Sequence, residues 1–355
     1  IGGIKLMAII DKPSDYFNPV IYTGNGGTQT ISNVNFQPNF TWIKHRDGAT
    51  AHMLFDSVRG ALYRLQSNST NTSTSAANTL TSWNSDGFVL GSENDTNGNS
   101  RLFVSWNWLT GTSFSNSSGS NGANLDSTGS LNTDAGFSIV SFTGQRDATR
   151  NIYHGLGSIP KIIIIKNTAV TQGWTVYSSA IAANERLVLN NTTAKGTCAA
   201  CFANTRPTSS VFTVGDDADT NGTGNAMIAY CFAEKQSYSK FGTYTGNGST
   251  DGPFVYTGFS PSFIMGKRTD GTGPWWMLDN KRDGYNVTNR YLLADDSRTE
   301  GTDVEYNTDF LSNGWKARYN NGNFNASGGS YIYMAFAENP FVTSTANGSI
   351  PATAR

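Results

Sequence analysis

Five residues, Tyr22-Thr23-Gly24-Asn25-Gly26, return as Tyr244-Thr245-Gly246-Asn247-Gly248, with a weaker copy, Phe142-Thr143-Gly144-Gln145, between them. Asn-Gly after an aromatic strand end predicts a tight turn, because both central positions of a type I′ turn need φ > 0. Each copy is followed 16 to 18 residues later by a proline (Pro38, Pro160, Pro261), and each proline six residues later by a lysine (Lys44, Lys166, Lys267). Apolar strand residues lie between them: Asn39 to Ile43, Lys161 to Ile165 and Ser262 to Gly266. Self-similarity at a fixed spacing marks a repeated structural unit, so the chain reads as three copies of one module of roughly 100 residues each.

That reading fits the length: 355 residues leave room for two or three domains. Charged residues make up only 14% and the formal net charge is −1, which argues against a nucleic-acid partner, since phosphate binding needs a concentrated basic surface. Aromatics at 12% can fill cores and argue against disorder. Gly, Asn, Ser and Thr abound without long Ala/Glu/Lys/Leu runs, a turn-rich β composition. The longest apolar run, Ile162 to Ile165, is far too short for a membrane-spanning helix, so no membrane insertion is expected. Ile1 to Leu6 lacks the features of a signal peptide. Gly2-Gly3 can be encoded by a ribosome-binding-type sequence upstream of Met7, so 1–6 is expected to be a translated leader of a bacterial or phage gene.

The expected organisation is an N-terminal arm over 1–21, a first repeat over 22–109, a Ser/Gly/Asn-rich flexible linker or long excursion over 110–134, a second repeat over 135–236, a third over 237–341 and a tail over 342–355. Closing strands recur at the ends of the repeats. Their alternate residues are bulky: Val104, Trp106, Trp108; Ile228, Tyr230, Phe232; Ile332, Met334, Phe336. The intervening ones, such as Ser105, Asn107, Ala229, Cys231 and Ala335, are mostly smaller. Period two with one bulky face predicts sheets facing a core. The fold class expected is all-β: three tandem antiparallel β-sandwich repeats of jelly-roll or lectin-like type, with no helix beyond two turns.

The residues Phe36 to Lys44, Asp56 to Gly60, Ser85 to Phe88, His154 to Gly157, Tyr230 to Glu234, Leu278 to Arg282, Phe310 to Gly314 and Tyr331 to Pro340, with the Tyr22–Gly26 motif, carry a resemblance. The chain resembles, over nearly all of its length from Met7, a family of three-repeat proteins from marine bacteriophages and related metagenomic sequences. The resemblance implies virion components with lectin-type (concanavalin-like) sandwiches. It supplies no catalytic residues.

Asp56 and Arg59 match Asp279 and Arg282, each aspartate 12 residues after the lysine; the second repeat has Ser178 and Ile181 there. A carboxylate beside a guanidinium suits sugar binding or catalysis, but a bidentate ion pair tying a turn to a strand is the favoured reading. Cys198-Ala199-Ala200-Cys201 has redox spacing without the βαβ context of a redox fold, so reduced structural cysteines are expected. Asp217, Asp219 and Asn221 before Gly222, and Glu93, Asp95 and Asn97 before Gly98, place oxygen ligands at alternating positions as a calcium loop does. The bidentate glutamate is missing, so metal-free acidic hairpins are favoured and no cofactor is expected, with calcium as the alternative. Trp83, Trp275 and Trp276 are the candidate sugar-stacking platforms, weighed against burial in a core. His154 with its glycine neighbours reads as a turn.

The function expected is a non-enzymatic phage structural protein of the virion, a tail-fibre, spike or capsid-surface component. Its expected partners are other virion proteins, further copies of itself in a trimer, and a host-surface polysaccharide. A lectin-type adhesin is the alternative, and a glucanase-like hydrolase a more distant one, since fold alone does not fix function.

Overall fold

The computed structural model describes residues 10–341 apart from Ala148; the expected leader at 1–6 and the tail at 342–355 lie outside the described residues. Among the described residues the fold is all-β, its strand pairings antiparallel, with helices of one turn only.

Three large sheets share one strand order. In sheet I, Phe17–Thr23 pairs with Leu102–Trp108, which pairs with Phe40–His45, and that with Met53–Asp56. In sheet II the order is Phe137–Thr143, Ala226–Ala233, Pro160–Asn167, Trp174–Ser178. In sheet III it is Ser239–Thr245, Ser330–Pro340, Phe259–Arg268, Trp276–Asp279. The register agrees as well: Lys44, Lys166 and Lys267 lie opposite Val104, Ile228 and Ile332.

One face of each large sheet is covered by a smaller sheet. Phe88 and Leu90 thus pack with Ile43 and Phe103, Phe212 and Val214 with Ile163 and Ile165, and Phe310 and Trp315 with Ile264 and Leu278. The other faces meet each other in one shared core. The bulky alternate residues of the closing strands point there. Trp108, Phe232 and Phe336 form a triangle, with ring centroids 6.4, 6.0 and 5.6 Å apart, around which the three sheets are arranged. Burial on both faces explains why Phe40–His45 is buried at every position rather than at alternate ones.

Three expectations need correction. The Tyr22–Gly26 motif is not a hairpin turn. It carries the chain from the large-sheet strand Phe17–Thr23 to Gln29–Ile31 in the smaller sheet, and in this stretch only Gly26 has positive φ (68°). What it requires is close approach: a Cβ on Gly24, Gly144 or Gly246 would sit 2.3, 2.3 or 2.2 Å from a backbone oxygen. That backbone follows a one-turn helix whose last residue is a fully buried asparagine. Asn97, Asn221 and Asn325 accept the N–H of Asn25, Gln145 and Asn247 at 3.0, 2.7 and 2.8 Å. Next, 110–134 is not simply a flexible linker. Thr112–Asn116 and Ser127–Asn132 add two strands to the edge of sheet II, their backbone ladders compensating for side chains that bury little. Finally, Cys198 and Cys201 form a disulfide rather than free thiols, the loop holding their Cα atoms 5.4 Å apart; Cys231 alone is free, and buried.

Candidate functional site

The Asp-x-x-Arg pairs lie at the end of the fourth strand of sheets I and III; both aspartates and Arg282 are buried, Arg59 partly so. Asp56 accepts from the N–H groups of Val58 and Arg59, from Arg59 Nε at 2.6 Å, and from Tyr230 Oη of sheet II at 2.8 Å. Asp279 repeats the pattern with Lys281, Arg282, Arg282 Nε at 2.6 Å, and Trp106 Nε1 of sheet I at 3.1 Å. The ion pair is therefore formed through Nε alone rather than bidentately, because the turn's own N–H groups claim the other carboxylate oxygen. Each aspartate also grips the neighbouring sheet. Ser178 stands at the matching position of sheet II, where Arg206 donates to the carbonyls of Ser178, Ser179 and Ile181 in place of the missing motif arginine.

Further equivalent bonds close the three units into a ring. Trp174 Nε1 donates to Gln66 O, Trp275 Nε1 to Val188 O, and His52 Nε2 to Leu293 O, all at 2.9 Å. The His52 tautomer follows from its network: Nδ1 accepts from Trp42 Nε1, leaving the proton on Nε2, and burial holds the ring well below its ordinary pKa. Backbone bonds repeat the cycle, from Ser73 to Thr168, Lys195 to Thr269 and Glu300 to Arg46. Lys166 and Lys267 reach across to Thr70 O and Thr192 O, and burial pushes each amine down to about 8. Lys44 turns to His45 O and Gly48 O and is pushed down to about 8 in the same way.

The tryptophans expected to be sugar platforms are mostly inside. Trp275 is 3% exposed, and Trp276, fully buried, packs on Trp315 and Phe324. Trp83 is half-buried, its Nε1 3.5 Å from Thr41 Oγ1. Trp275 and Trp276 therefore present no stacking face, and the core reading of them holds.

The acidic hairpins are engaged elsewhere too. Asn97 Nδ2 and Asn221 Nδ2 donate to the carbonyls of Gly91 and Gly215 among others. Asp217 caps the one-turn helix Ala218–Asn221 by accepting from Asp219 N, and Asp219 Oδ2 is 2.6 Å from Arg186 Nη1. Glu93 occupies the N-cap of Asn94–Asn97 without a side-chain cap, and Asp95 lies in that helix's first turn. The Asp217 and Asp219 carboxylates are thus held in a helix cap and an ion pair, and the asparagines in backbone contacts.

An unexpected group stands out by comparing the three loops that follow Leu65, Leu187 and Leu292. Asn68 Oδ1 accepts the N–H of His52 at 3.0 Å and Asn190 Oδ1 that of Trp174 at 2.8 Å. In the third loop the same bond, from Trp275 N at 2.7 Å, goes to Asp295 Oδ1. An amide suffices for this bond in two of the three loops, so the carboxylate in the third is not required by it.

Asp295 borders an open cleft of about 140 Å³, also lined by Tyr291, Tyr306, Asp296, Arg298 and Glu305. The two tyrosine rings lie 4.4 Å apart. Burial pushes the Asp295 carboxyl up to about 6, against the pull of the Trp275 N–H and the Lys267 charge. Burial also opposes ionisation of Asp296, but the N–H and guanidinium of Arg298 hold that carboxyl below the usual range. The sequence signal that locates Asp295 is Leu-x-x-Asn, Leu-x-x-Asn, Leu-x-x-Asp at 65–68, 187–190 and 292–295. It is masked because the third loop is four residues longer before its leucine (279 to 292, against 56 to 65 and 178 to 187).

No curated protein and no solved structure matches the chain. A family model does match residues 12–340, and the chain belongs to that family, described as a domain of unknown function (DUF7483).

Proposed function

We propose that the chain is a non-enzymatic structural component of a bacteriophage virion, built from three tandem copies of one β-sandwich unit closed into a ring, with a capacity for host-surface glycans. The observation that carries this reading is the locked state of the acids. Asp56 and Asp279, the best candidates for catalysis by their sequence, are wholly buried and spend their oxygens on a turn, a guanidinium and a neighbouring unit's ring. Groups held so serve rigidity. The threefold arrangement suits a particle component: the trimer expected of such assemblies is mimicked within one chain, which could seat on a threefold axis or among other virion proteins. The virion assignment itself draws on the resemblance to marine phage proteins.

Peptides of this chain in purified virus particles, in amounts comparable with other structural proteins, are the expected result. Their presence in infected-cell lysate but absence from particles would overturn the reading. The adhesin alternative is compatible with it. A hydrolase is the more distant alternative, since fold alone does not fix function. Reducing ends released from a polysaccharide by the wild type but not by Asp295→Asn would favour that enzyme.

A further inference from the structure

We infer that the Cys198–Cys201 disulfide is a thiol-exchange site: a small thiol opens it at Cys198, and Cys201 leaves as the thiolate. The bridge adds little to the fold. Its cysteines are only three positions apart in sequence, so it closes a loop too short to restrict the unfolded chain much. All three cysteines of the chain lie in the second unit, and the other two units build the same strand order without a bridge.

Two independent features set the direction of exchange. The first is burial. Cys201 is fully buried in the core of the second unit, beside Phe202 and Tyr177, whereas Cys198 is partly exposed and the linking Ala199 and Ala200 are exposed. An incoming thiolate therefore reaches Cys198 Sγ and not Cys201 Sγ. The second is charge. Arg186 Nη1 is 3.4 Å from Cys201 Sγ, and Asp217 Oδ2 is 3.7 Å from Cys198 Sγ. A cation beside a sulfur favours its thiolate, and a carboxylate disfavours it. Cys201 is thus the better leaving group of the two. Thr175 Oγ1 and Asp219 Oδ2 hold Arg186 Nη1 in this position, at 3.2 and 2.6 Å.

The exchange balances in two steps. In the first, a thiolate forms a bond to Cys198 Sγ as the Cys198–Cys201 bond breaks, and the electron pair goes to Cys201 Sγ beside Arg186. In the second, another thiolate attacks the sulfur of the thiol now bound to Cys198. The electron pair of that bond returns to Cys198 Sγ, which takes a proton from solvent and has Asp217 Oδ2 as an acceptor for it. The reductant is the pair of small thiols, oxidised to their own disulfide.

The test treats the full, natively folded chain with reduced glutathione at millimolar concentration, then with iodoacetamide, and maps the label by peptide mass spectrometry. Cys198 should be labelled after the thiol and unlabelled without it. Cys231, free and buried, should stay unlabelled throughout and so report that the chain has not unfolded. Acid quenching before completion should show the mixed disulfide with glutathione on Cys198. Arg186→Gln should slow opening by on the order of tenfold, because the leaving thiolate loses its cation, and Arg186→Lys should restore part of the rate. Loosening of the loop alone would speed opening instead. A bridge that stays closed in the native chain and opens only in urea, when Cys231 is labelled too, overturns the inference. So does glutathione found on Cys201, or opening as fast in Arg186→Gln as in the wild type.

Discussion

Two of the three junctions between units are polar at their centre and one is not. At the first, Asp56 takes the hydroxyl of Tyr230; at the second, Asp279 takes the indole N–H of Trp106. At the third, the matching positions are Ser178 and Met334, and Ile162, Val176, Met265 and Met334 gather around a small apolar void. Acid and ring donor are both present at two junctions and both absent from the third. Each ring donor adds one bond to an aspartate that its own turn and arginine already engage, and leaving a buried donor or acceptor unpaired carries a cost. The third junction shows that the ring does not need the aspartate pair to close; apolar packing there is joined by bonds to backbone carbonyls such as Trp275 to Val188.

The contrast is most severely tested by removing an acid. Asp279→Ala strips four hydrogen bonds and leaves Arg282, whose side chain is fully buried, with only Glu300 at 3.2 Å as charge partner. It should cost about 3–5 kcal/mol in urea unfolding. Ser178→Ala loses one hydroxyl contact, to Ala180 N at 3.2 Å, and should cost under about 1 kcal/mol. Because all three units contribute to one core, Asp279→Ala should shift a single unfolding transition. A separate early transition for the third unit would show that the units are independent.

A gentler probe isolates the cross-junction bond. Tyr230→Phe removes one donor from Asp56 and leaves three others, so about 1–2 kcal/mol should be lost. Met334→Leu, at the matching apolar junction, conserves volume and should cost less than about 1.5 kcal/mol. If Tyr230→Phe is the milder change in paired unfolding curves, the polar contact contributes nothing beyond packing.

The repeated strands were legible because period two and the proline–lysine spacing survive in all three copies. The ring was not, because its bonds run from indole or imidazole N–H groups to carbonyls, and a carbonyl has no residue identity to read. His52 illustrates this: it does the work of Trp174 and Trp275 without resembling them. The role of the lysines was not legible either, since Lys166 is caged by the carbonyls of Thr70, Asn167 and Gln172, which carry no residue identity. The strand Thr112–Asn116 escaped notice because an edge strand with mostly exposed side chains has no apolar alternation.

The smallest effect concerns the one loop that breaks the pattern. The folded Asp295 carboxyl, at about 6, lies above the roughly 3.9 of an unfolded chain, so the native state holds the proton more tightly. Below the unfolded value both states are protonated and the difference vanishes. As pH rises from about 4 through 6, the native state must ionise a half-buried group, and stability falls. Asp295→Asn has no proton to lose and keeps the bond to Trp275. It should match the wild type near pH 3.5 and exceed it at pH 7 by on the order of 1 kcal/mol, after allowance for partial exposure. Asn68→Asp should do the reverse where an amide now stands, lowering stability at pH 7 and not at acid pH. Equal stability of Asp295→Asn and wild type at both pH values would mean that the carboxylate is well solvated and its departure from the asparagine pattern costs the fold nothing.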